Sequence, residues 1–375
     1  MLPRRPCTIT IVVSYTYPFI GSGIGNVALK QAETFARMGH TVNLISANVP
    51  ETKWQFTKDA VTHIKLPALN WLYRFHIPVP IIIPTPLFFR TIKQTDLVIV
   101  HDMLYLNSLV TALVAKVLQK RLVLFQHIAF INYGNVFINL LQRIAQVVVG
   151  LPVIICSDLI LVLNREIETA FSRHRSKIRR ITNGVDTELF HPVHANEKQK
   201  LRKRHGLQTN RPIVLFVGRL VPKKGVDIVH AARSPDYLTL CIGTGSIPEA
   251  LAEDENIRFL GGKDQEELSE FYRLSDVFVL PSHGEGFPLS VQEAMASGLP
   301  IVTTNTAHYH DIIDQSHVAL IPRTAAGLKN ALHAILKDPE KSQAMQKYSR
   351  KTALNQFSWQ NHCEQIITYY KQLPL

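Results

Sequence analysis

The stretch from Val277 to Thr304, VFVLPSHGEGFPLSVQEAMASGLPIVTT, constrains the fold more than any other part of the chain. It predicts a short apolar strand at Val277–Leu280, a loop rich in Gly and Pro, a helix that stops at Gly298, and a second strand. A strand, a helix and a strand in this order form a βαβ unit, whose strands are parallel. Because the chain has 375 residues, of which 46% are hydrophobic, two α/β domains of ordinary size are expected.

The start of the predicted helix suits an anionic ligand. Free backbone N–H groups and the positive end of the helix dipole point into the preceding loop. A carboxylate stands on either side of this start, Glu285 in the loop and Glu293 in the helix. Amides bind phosphate oxygens and carboxylates accept hydrogen bonds from hydroxyls, so the pattern fits a sugar joined to a diphosphate. The backbone that such a ligand can approach closely belongs to Gly286, Phe287, Pro288 and Leu289.

A structural interpretation of the same residues is open as well. Ser290-x-x-Glu293 is also a capping box, in which Glu293 only holds the start of the helix. Glu285 is then a solvated loop charge. The residues of this stretch do not decide between the two interpretations.

The stretch resembles the signature of the retaining nucleotide-sugar glycosyltransferases of family 4 (glycosyl transferases group 1). In that signature two Glu residues, with seven residues between them, stand in an EGFP…EAMASGLPIV context. The resemblance covers nearly the entire chain and implies the GT-B fold, an α/β architecture of two doubly wound Rossmann-like domains facing across a cleft. Residues 1–186 are then the acceptor-side domain and 187–356 the donor-binding domain, with a helix over about 357–375 packing back on the first.

Two cationic side chains are expected on a loop of the second domain. A strand at Ile213–Val217 leads into Gly218-Arg219-Leu-Val-Pro-Lys-Lys224-Gly225. Arg offers a fork for two phosphate oxygens and Lys a point charge, although a solvated surface pair is the structural alternative. The segment resembles the family's GRL…KG sequence, which implies that Arg219 and Lys224 grip the donor diphosphate. A later glycine turn, Gly243-Thr-Gly245, is expected near the nucleotide.

The first half opens with another βαβ pattern. Residues 8–15 and 41–46 predict strands, and the turn Gly21-Ser-Gly-Ile-Gly25 with a helix lies between them. A dinucleotide site is disfavoured because the turn is not G-x-G-x-x-G and no acidic residue closes the second strand. The resemblance implies that Gly23 faces the donor phosphate. It also implies that His127, which follows a predicted strand, contacts the donor sugar; a structural histidine is the alternative, and His101 is a weaker candidate.

Charge and apolar patterning bear on partners. Residues 1–187 carry 20 Lys and Arg against 9 Asp and Glu, which favours an anionic membrane surface, a phosphorylated acceptor or nucleic acid. The basic run FSRHRSKIRR lacks interleaved aromatic residues, so no nucleic-acid partner is expected. Two apolar segments, 68–90 with four prolines and 136–149 with one polar stripe, are either core elements or membrane-facing surfaces. No apolar stretch of about 20 residues lacks charges, so a membrane-spanning helix is not expected.

These patterns and the resemblance predict a retaining, metal-independent hexosyltransferase. It would use a nucleotide-diphosphate sugar as donor, with no cofactor, and a hydroxyl of a lipid-linked or polysaccharide acceptor at the cytoplasmic membrane face. Arg219, Lys224, Glu285 and His127 are the predicted catalytic residues, and Glu293 is expected to bind the ribose. A metal is not expected because two cations face the diphosphate and the chain has no D-x-D cluster. A nucleotide-sugar 2-epimerase and a non-catalytic scaffold on the same fold are the alternatives.

Overall fold

The computed structural model describes residues 6–14, 23–48, 61–69, 81–127, 136–207, 210–245, 254–283, 287–310 and 312–373. The chain divides into two compact units. Unit 1 comprises Met1–Asn183 and Trp359–Leu375, and unit 2 comprises Gly184–Ser358.

Unit 1 is built on a parallel sheet of seven strands in the order β3-β2-β1-β6-β7-β8-β9. Its strands and the short antiparallel pair β4 and β5 are β1 (Thr8–Val12), β2 (Thr41–Ala47), β3 (Val61–Leu66), β4 (Ala68–Leu69), β5 (Ile81–Ile82), β6 (Leu97–His101), β7 (Arg121–Gln126), β8 (Leu159–Val162) and β9 (Ile178–Arg180). The helices between them are α1 (Gly23–Arg37), α2 (Pro86–Lys93), α3 (Leu106–Val117), α4 (Val136–Ala145), α5 (Leu151–Cys156) and α6 (Arg165–Ala170). A π-helical turn, Gln146–Gly150, joins α4 to α5.

The sheet of unit 1 is buried on both faces, as the near-continuous apolar strands require. Alternate residues of β1 divide between two cores, because successive side chains of a strand point to opposite faces. Ile9 and Ile11 pack with α1, whereas Val12 packs with α2, α3 and α5. The first strand ends at Val12, three residues before its predicted end.

Unit 2 has a parallel sheet of six strands in the order β12-β11-β10-β13-β14-β15. The strands are β10 (Ile213–Val217), β11 (Leu238–Ile242), β12 (Ile257–Phe259), β13 (Val277–Leu280), β14 (Ile301–Thr304) and β15 (Ala319–Ile321). The helices are α7 (Ala195–Arg204), α8 (Val226–Ala231), α9 (Gln265–Leu274), α10 (Leu289–Ala296), α11 (Ala307–His310), α12 (Ala325–Leu336) and α13 (Pro339–Thr352). Two parallel sheets covered by helices confirm the predicted α/β class with two doubly wound sheets.

Two segments connect the units or lie close to their junction. The last helix, α14 (Trp359–Lys371), belongs to unit 1, where Cys363, Ile366 and Ile367 pack against α1. The charged region 186–210 contains α7. Its Arg202 is buried and donates a 2.6 Å hydrogen bond to Asp276, which explains why so basic a segment is ordered against unit 2.

Candidate functional site

The order of the strands in unit 2 determines where a ligand can bind. From β10 the chain builds the sheet outwards to β11 and β12, and then returns to place β13 on the other side of β10. The chain therefore continues from β10 towards one edge of the sheet and from β13 towards the other. The crevice between the loops at the start of these two connections is the usual ligand site of such sheets.

The two loops are held together at this point. The N–H of His283, after β13, donates to the carbonyl oxygen of Lys223, after β10, at 3.0 Å. Gly225 has a φ of 82°, and a Cβ there would lie 2.3 Å from the carbonyl oxygen of Pro281. The two loops are thus in backbone contact, and only glycine fits at the point where they meet.

A glycine surface extends from this contact to the end of β11. Gly243 and Gly245 have φ values of 151° and 149°. A Cβ at Gly243 would lie 1.9 Å from the carbonyl oxygen of Gly218, and a Cβ at Gly245 would lie 2.7 Å from Cβ of Leu220. The Leu220 N–H donates to Thr244 at 2.9 Å, which fixes the two loops side by side. The structure therefore brings the predicted Gly218, Gly243 and Gly245 together.

The two predicted cations lie on the loop that contains this glycine surface. Arg219 is exposed and forms no ion pair with any residue that the structure describes. Lys224 is half-buried, at the end of a 3₁₀ turn formed by Pro222–Lys224. Its aliphatic stem covers Gly218, because a Cβ at Gly218 would lie 3.6 Å from Cδ of Lys224. Both side chains thus start from the same end of β10.

The start of α10 carries no side-chain cap. Pro288 is the N-cap residue, and no described side chain accepts a hydrogen bond from the first turn. Ser290 lies within the helix, so the capping-box interpretation of Ser290 and Glu293 is wrong. Leu289 is the first helical residue. Phe287 packs its ring 4.9 Å from that of Phe357, which anchors the loop and presents its backbone.

Glu293 is held inside unit 2 rather than at the helix start. Its side chain is 6% exposed, and its Oε2 accepts a 2.9 Å hydrogen bond from the hydroxyl of Tyr272. Within the described ranges no hydrogen bond reaches its Oε1, which leaves this oxygen for a ligand. Burial raises the pKa of the Glu293 carboxyl to about 7, and the hydrogen bond from Tyr272 partly offsets this rise.

Three other predicted residues have limited structural support. Glu285 and Gly286 lie outside the described residues. Gly23 is the first residue of α1, at the carboxyl side of β1 in unit 1. The structure therefore gives the position of Gly23 in the chain fold and leaves the roles of all three as predictions.

His127 directly follows β7 in unit 1, as predicted, and is paired with His101 at the end of β6. The His127 Nε2 and the His101 Nδ1 are 2.9 Å apart. Burial lowers the pKa of His127 to about 3, and it lowers the pKa of His101 well below its usual value. Both rings are therefore neutral at physiological pH. His101, a weaker candidate from the sequence, is fully buried and lies behind His127.

Asp102 is a candidate residue that the sequence interpretation missed. It follows β6, next to the point where the strand order of unit 1 reverses around β1, and has a φ of 65°. Gln126 donates to its Oδ1 at 2.9 Å, whereas the buried Oδ2 has no hydrogen-bond partner among the residues that the structure describes. Burial raises the pKa of the Asp102 carboxyl to about 6. A left-handed aspartate with an unpaired oxygen is typical of functional sites, and only its position after a buried strand could have indicated it.

Both units match known protein families. Residues 21–189 match the profile of Glycosyltransferase Family 4, and residues 197–352 match that of Glycosyl transferases group 1. The chain belongs to this family of glycosyltransferases. The first matched region ends six residues beyond Asn183, where unit 2 begins, and the second lies entirely within unit 2.

Individual glycosyltransferases are similar to this chain in sequence or in structure. D-inositol 3-phosphate glycosyltransferase from Corynebacterium urealyticum is 28% identical over 56% of this chain and 54% of its own length. Glycogen synthase from Mycobacterium tuberculosis is 32% identical over 53% of this chain and 49% of its own length. The chain thus spans about half the length of the curated relatives it matches. The crystal structure of HepE from Anabaena in complex with UDP has a TM-score of 0.73, at 18% identity, over 98% of this chain and 100% of HepE. This likeness confirms the two-domain GT-B fold.

Proposed function

We propose that the protein transfers a hexose from a nucleotide-diphosphate sugar to an acceptor hydroxyl, with retention of anomeric configuration and without a metal ion. The observation that supports this most is the convergence at the carboxyl end of β10. Arg219, Lys224 and the glycine surface lie there, and the loop after β10 contacts the loop after β13, the strand that precedes the uncapped start of α10.

The bond to be broken joins the anomeric carbon to a phosphate oxygen. As it breaks, negative charge develops on the leaving diphosphate and the acceptor oxygen bonds to the anomeric carbon. Arg219, Lys224 and the N–H groups of α10 stabilise this charge, and one preorganised donor of this kind contributes about 3–4 kcal/mol to the rate. The acceptor proton passes to the leaving diphosphate, so the step needs no enzymatic base.

The remaining residues position the donor. Glu293 accepts hydrogen bonds from the ribose hydroxyls through Oε1, since Tyr272 holds only its Oε2. Glu285 and His127 bind sugar hydroxyls in this proposal. The nearby Lys223 is exposed and serves the fold through its backbone carbonyl, so its side chain has no assigned role.

A ligand panel followed by turnover tests the proposal. UDP, GDP and ADP and their glucose or mannose esters are added to the protein, and the cognate donor raises the unfolding temperature by mass action. Arg219→Ala and Lys224→Ala lower turnover by well over tenfold while the folded state persists, and Lys223→Ala is the matched control. Full turnover in folded Arg219→Ala/Lys224→Ala would rule out the assignment. Isomerisation of the sugar without an acceptor would indicate a 2-epimerase instead.

Two further measurements address stereochemistry and metal. The anomeric proton of the product, observed by NMR, has the configuration of the donor sugar if transfer occurs with retention. Turnover persists in excess EDTA if two cations and a helix start suffice for the diphosphate. Inversion, or loss of activity that Mg²⁺ restores, would contradict the respective part of the proposal.

We also propose that unit 1 binds an anionic membrane surface, where a lipid-linked acceptor is available on the cytoplasmic face. Among the described residues, one continuous helical segment, Val136–Cys156, is long and apolar enough to cross a membrane by length and composition. It connects the neighbouring strands β7 and β8 of one sheet, which favours a surface contact over a spanning helix.

The orientation of this segment is opposite to that of an ordinary surface helix. Of the four residues of the polar stripe, Asn139, Gln142 and Gln146 are half-buried and Arg143 is exposed, and no residue of α4 is fully buried. The opposite stripe is apolar and between 51% and 73% exposed, and it consists of Phe137, Leu141, Ile144 and Val148. Of the two interpretations of 136–149, the exposed stripe is inconsistent with a core helix and supports an interfacial one.

The length of the helical segment Val136–Cys156, compared with the length of β7, bears on where its apolar stripe lies. A helix of 21 residues is about 31 Å long, whereas the six residues of β7 span about 20 Å. The end of the segment packs on α3 and leads into β8, so a straight helix of this length would begin past the carboxyl end of the sheet. That end carries His127 and Asp102.

Basic and apolar side chains surround the segment. Lys177 donates to the carbonyl oxygens of Ile155 and Ser157, which places the exposed Arg173 and Arg175 beside the end of α5. In the same helical layer a groove of about 480 Å³ lies between α2 and α3. Its lining combines apolar side chains with two cations and consists of Phe89, Arg90, Lys93, Leu113, Val114, Val117 and Leu118. Anionic lipid head groups attract the cationic side chains, and the apolar side chains beside them can insert into the membrane.

A further inference from the structure

A continuous chain of side-chain hydrogen bonds crosses the interior of unit 1 and ends at His127. The Nδ1 of His362 lies 2.6 Å from the carbonyl oxygen of Thr182. The Nε2 of His362 lies 2.9 Å from Nε2 of Gln31, whose Oε1 lies 3.0 Å from Nε2 of His101. The Nδ1 of His101 then faces Nε2 of His127 at 2.9 Å. Three of the four side chains in this chain are at most 1% exposed, and they are Gln31, His101 and His362.

The direction of every hydrogen bond follows from the carbonyl group at one end. A carbonyl oxygen only accepts, so His362 carries its proton on Nδ1, and as a neutral ring it has a bare Nε2. The side-chain amide of Gln31 donates to that nitrogen, and its Oε1 accepts from the Nε2–H of His101. The Nδ1 of His101 is then bare and accepts from the Nε2–H of His127.

We propose that Gln31, His101 and His362 are positioning residues that hold His127 in the Nε2–H tautomer, so that its Nδ1 is a hydrogen-bond acceptor. A group that donates, such as a sugar hydroxyl, is the ligand that this nitrogen takes. A group that only accepts, such as a phosphate or carbonyl oxygen, is rejected there. The identity of the hydroxyl as that of a donor sugar rests on the proposed function, whereas the tautomer does not.

The opposite tautomer has no consistent arrangement along the chain. If His127 carried its proton on Nδ1, its bare Nε2 would require a proton on Nδ1 of His101. The bare Nε2 of His101 would then require the amide nitrogen of Gln31, and the Gln31 oxygen would face the bare nitrogen of His362. Two acceptors would meet in a buried place, which disfavours this arrangement by roughly tenfold or more.

The surroundings keep the rings neutral and fixed. Phe125 lies 5.3 Å from the ring of His101 and 4.7 Å from that of His127, and the ring of Trp359 lies 5.3 Å from His362. Burial lowers the pKa of His362 to about 4, although the hydrogen bond to Thr182 acts against this shift. Among the described residues, no hydrogen bond reaches the Nδ1 of His127. That atom is the end of the chain that is left for a ligand.

The test is a long-range ¹H–¹⁵N correlation spectrum of the full chain labelled with ¹⁵N-histidine, recorded without any ligand. His127→Gln identifies the His127 signals. We expect a pyridine-type Nδ1 and a pyrrole-type Nε2, in one tautomer favoured by about tenfold or more. A protonated Nδ1 in the wild-type protein, or a doubly protonated ring, would overturn the proposal. Because no donor or acceptor is present, this result is independent of whether glycosyl transfer is observed.

Gln31→Met tests whether the chain sets the tautomer. The change keeps the length of the side chain and removes both hydrogen bonds, so His127 should become a mixture of tautomers. Thr34→Val is the matched control, because Thr34 is buried on the same helix and, among the described residues, its hydroxyl donates only to the carbonyl oxygen of Lys30. An unchanged His127 spectrum in folded Gln31→Met would show that the chain does not act on His127. If Gln31→Met does not fold, the wild-type spectrum alone decides.

Discussion

The exposed stripe of α4 gives a quantitative prediction for membrane binding. Leu141 and Ile144 are 56% and 51% exposed and lie opposite the polar stripe of the helix. Full burial of such a side chain contributes about 1.5–3 kcal/mol, so insertion of the exposed half contributes about 1 kcal/mol or more each. Leu141→Gln/Ile144→Gln should therefore weaken binding by about 2–3 kcal/mol, or roughly 30- to 150-fold in the dissociation constant.

The assay is cosedimentation with vesicles that contain phosphatidylglycerol, compared with vesicles of phosphatidylcholine alone. Both substituted side chains face solvent, and Gln is a good helix former, so the unfolding temperature should stay close to that of the wild type. Leu354→Gln is the control, because Leu354 is 44% exposed and lies in unit 2. If the double variant sediments with vesicles like the wild-type protein, the exposed apolar stripe of α4 does not bind the membrane.

Three further results are expected. Arg173→Gln/Arg175→Gln should weaken binding to anionic vesicles by about 2 kcal/mol at low salt and leave binding to neutral vesicles unchanged, as measured by cosedimentation. The pKa of Glu293 is raised from 4.5 to about 7, so the folded state binds the extra proton between these values and stability falls as pH rises through that window. Glu293→Gln should remove about 3 kcal/mol of this pH dependence, observed by thermal unfolding at pH 5 and pH 8; equal slopes in both proteins would contradict it. Gly243→Ala should abolish nucleotide binding in a calorimetric titration, because its Cβ would displace the carbonyl of Gly218.

The strands and helices around the proposed donor site could be predicted because their signals are local. The strand at Val277–Leu280 is a short apolar run between turn residues, and the positive φ of Gly298 ends the following helix as expected. The capping-box interpretation was wrong for a non-local reason. The hydrogen-bond partner of Glu293 is Tyr272, which is 21 residues away and on another helix.

The features that sequence could not provide depend on which side of an element faces the protein. The polar stripe of residues 136–149 is visible in the sequence, but its inward orientation is decided by the neighbouring helices. The hydrogen-bond chain to His127 joins residues that are 331 and 70 positions apart, so no spacing rule reveals it. Asp102 shows no unusual pattern, because its strain and its unpaired oxygen exist only in the folded unit.

The position of α14 has a consequence for biosynthesis. Unit 1 contains the first 183 residues and also the last helix, whereas unit 2 is one continuous segment between them. A ribosome therefore releases everything that unit 2 needs before it completes unit 1, in contrast to the usual order in which N-terminal domains fold first. Until Cys363, Ile366 and Ile367 are made, the face of α1 that packs on α14 lacks this cover and is exposed on the nascent chain.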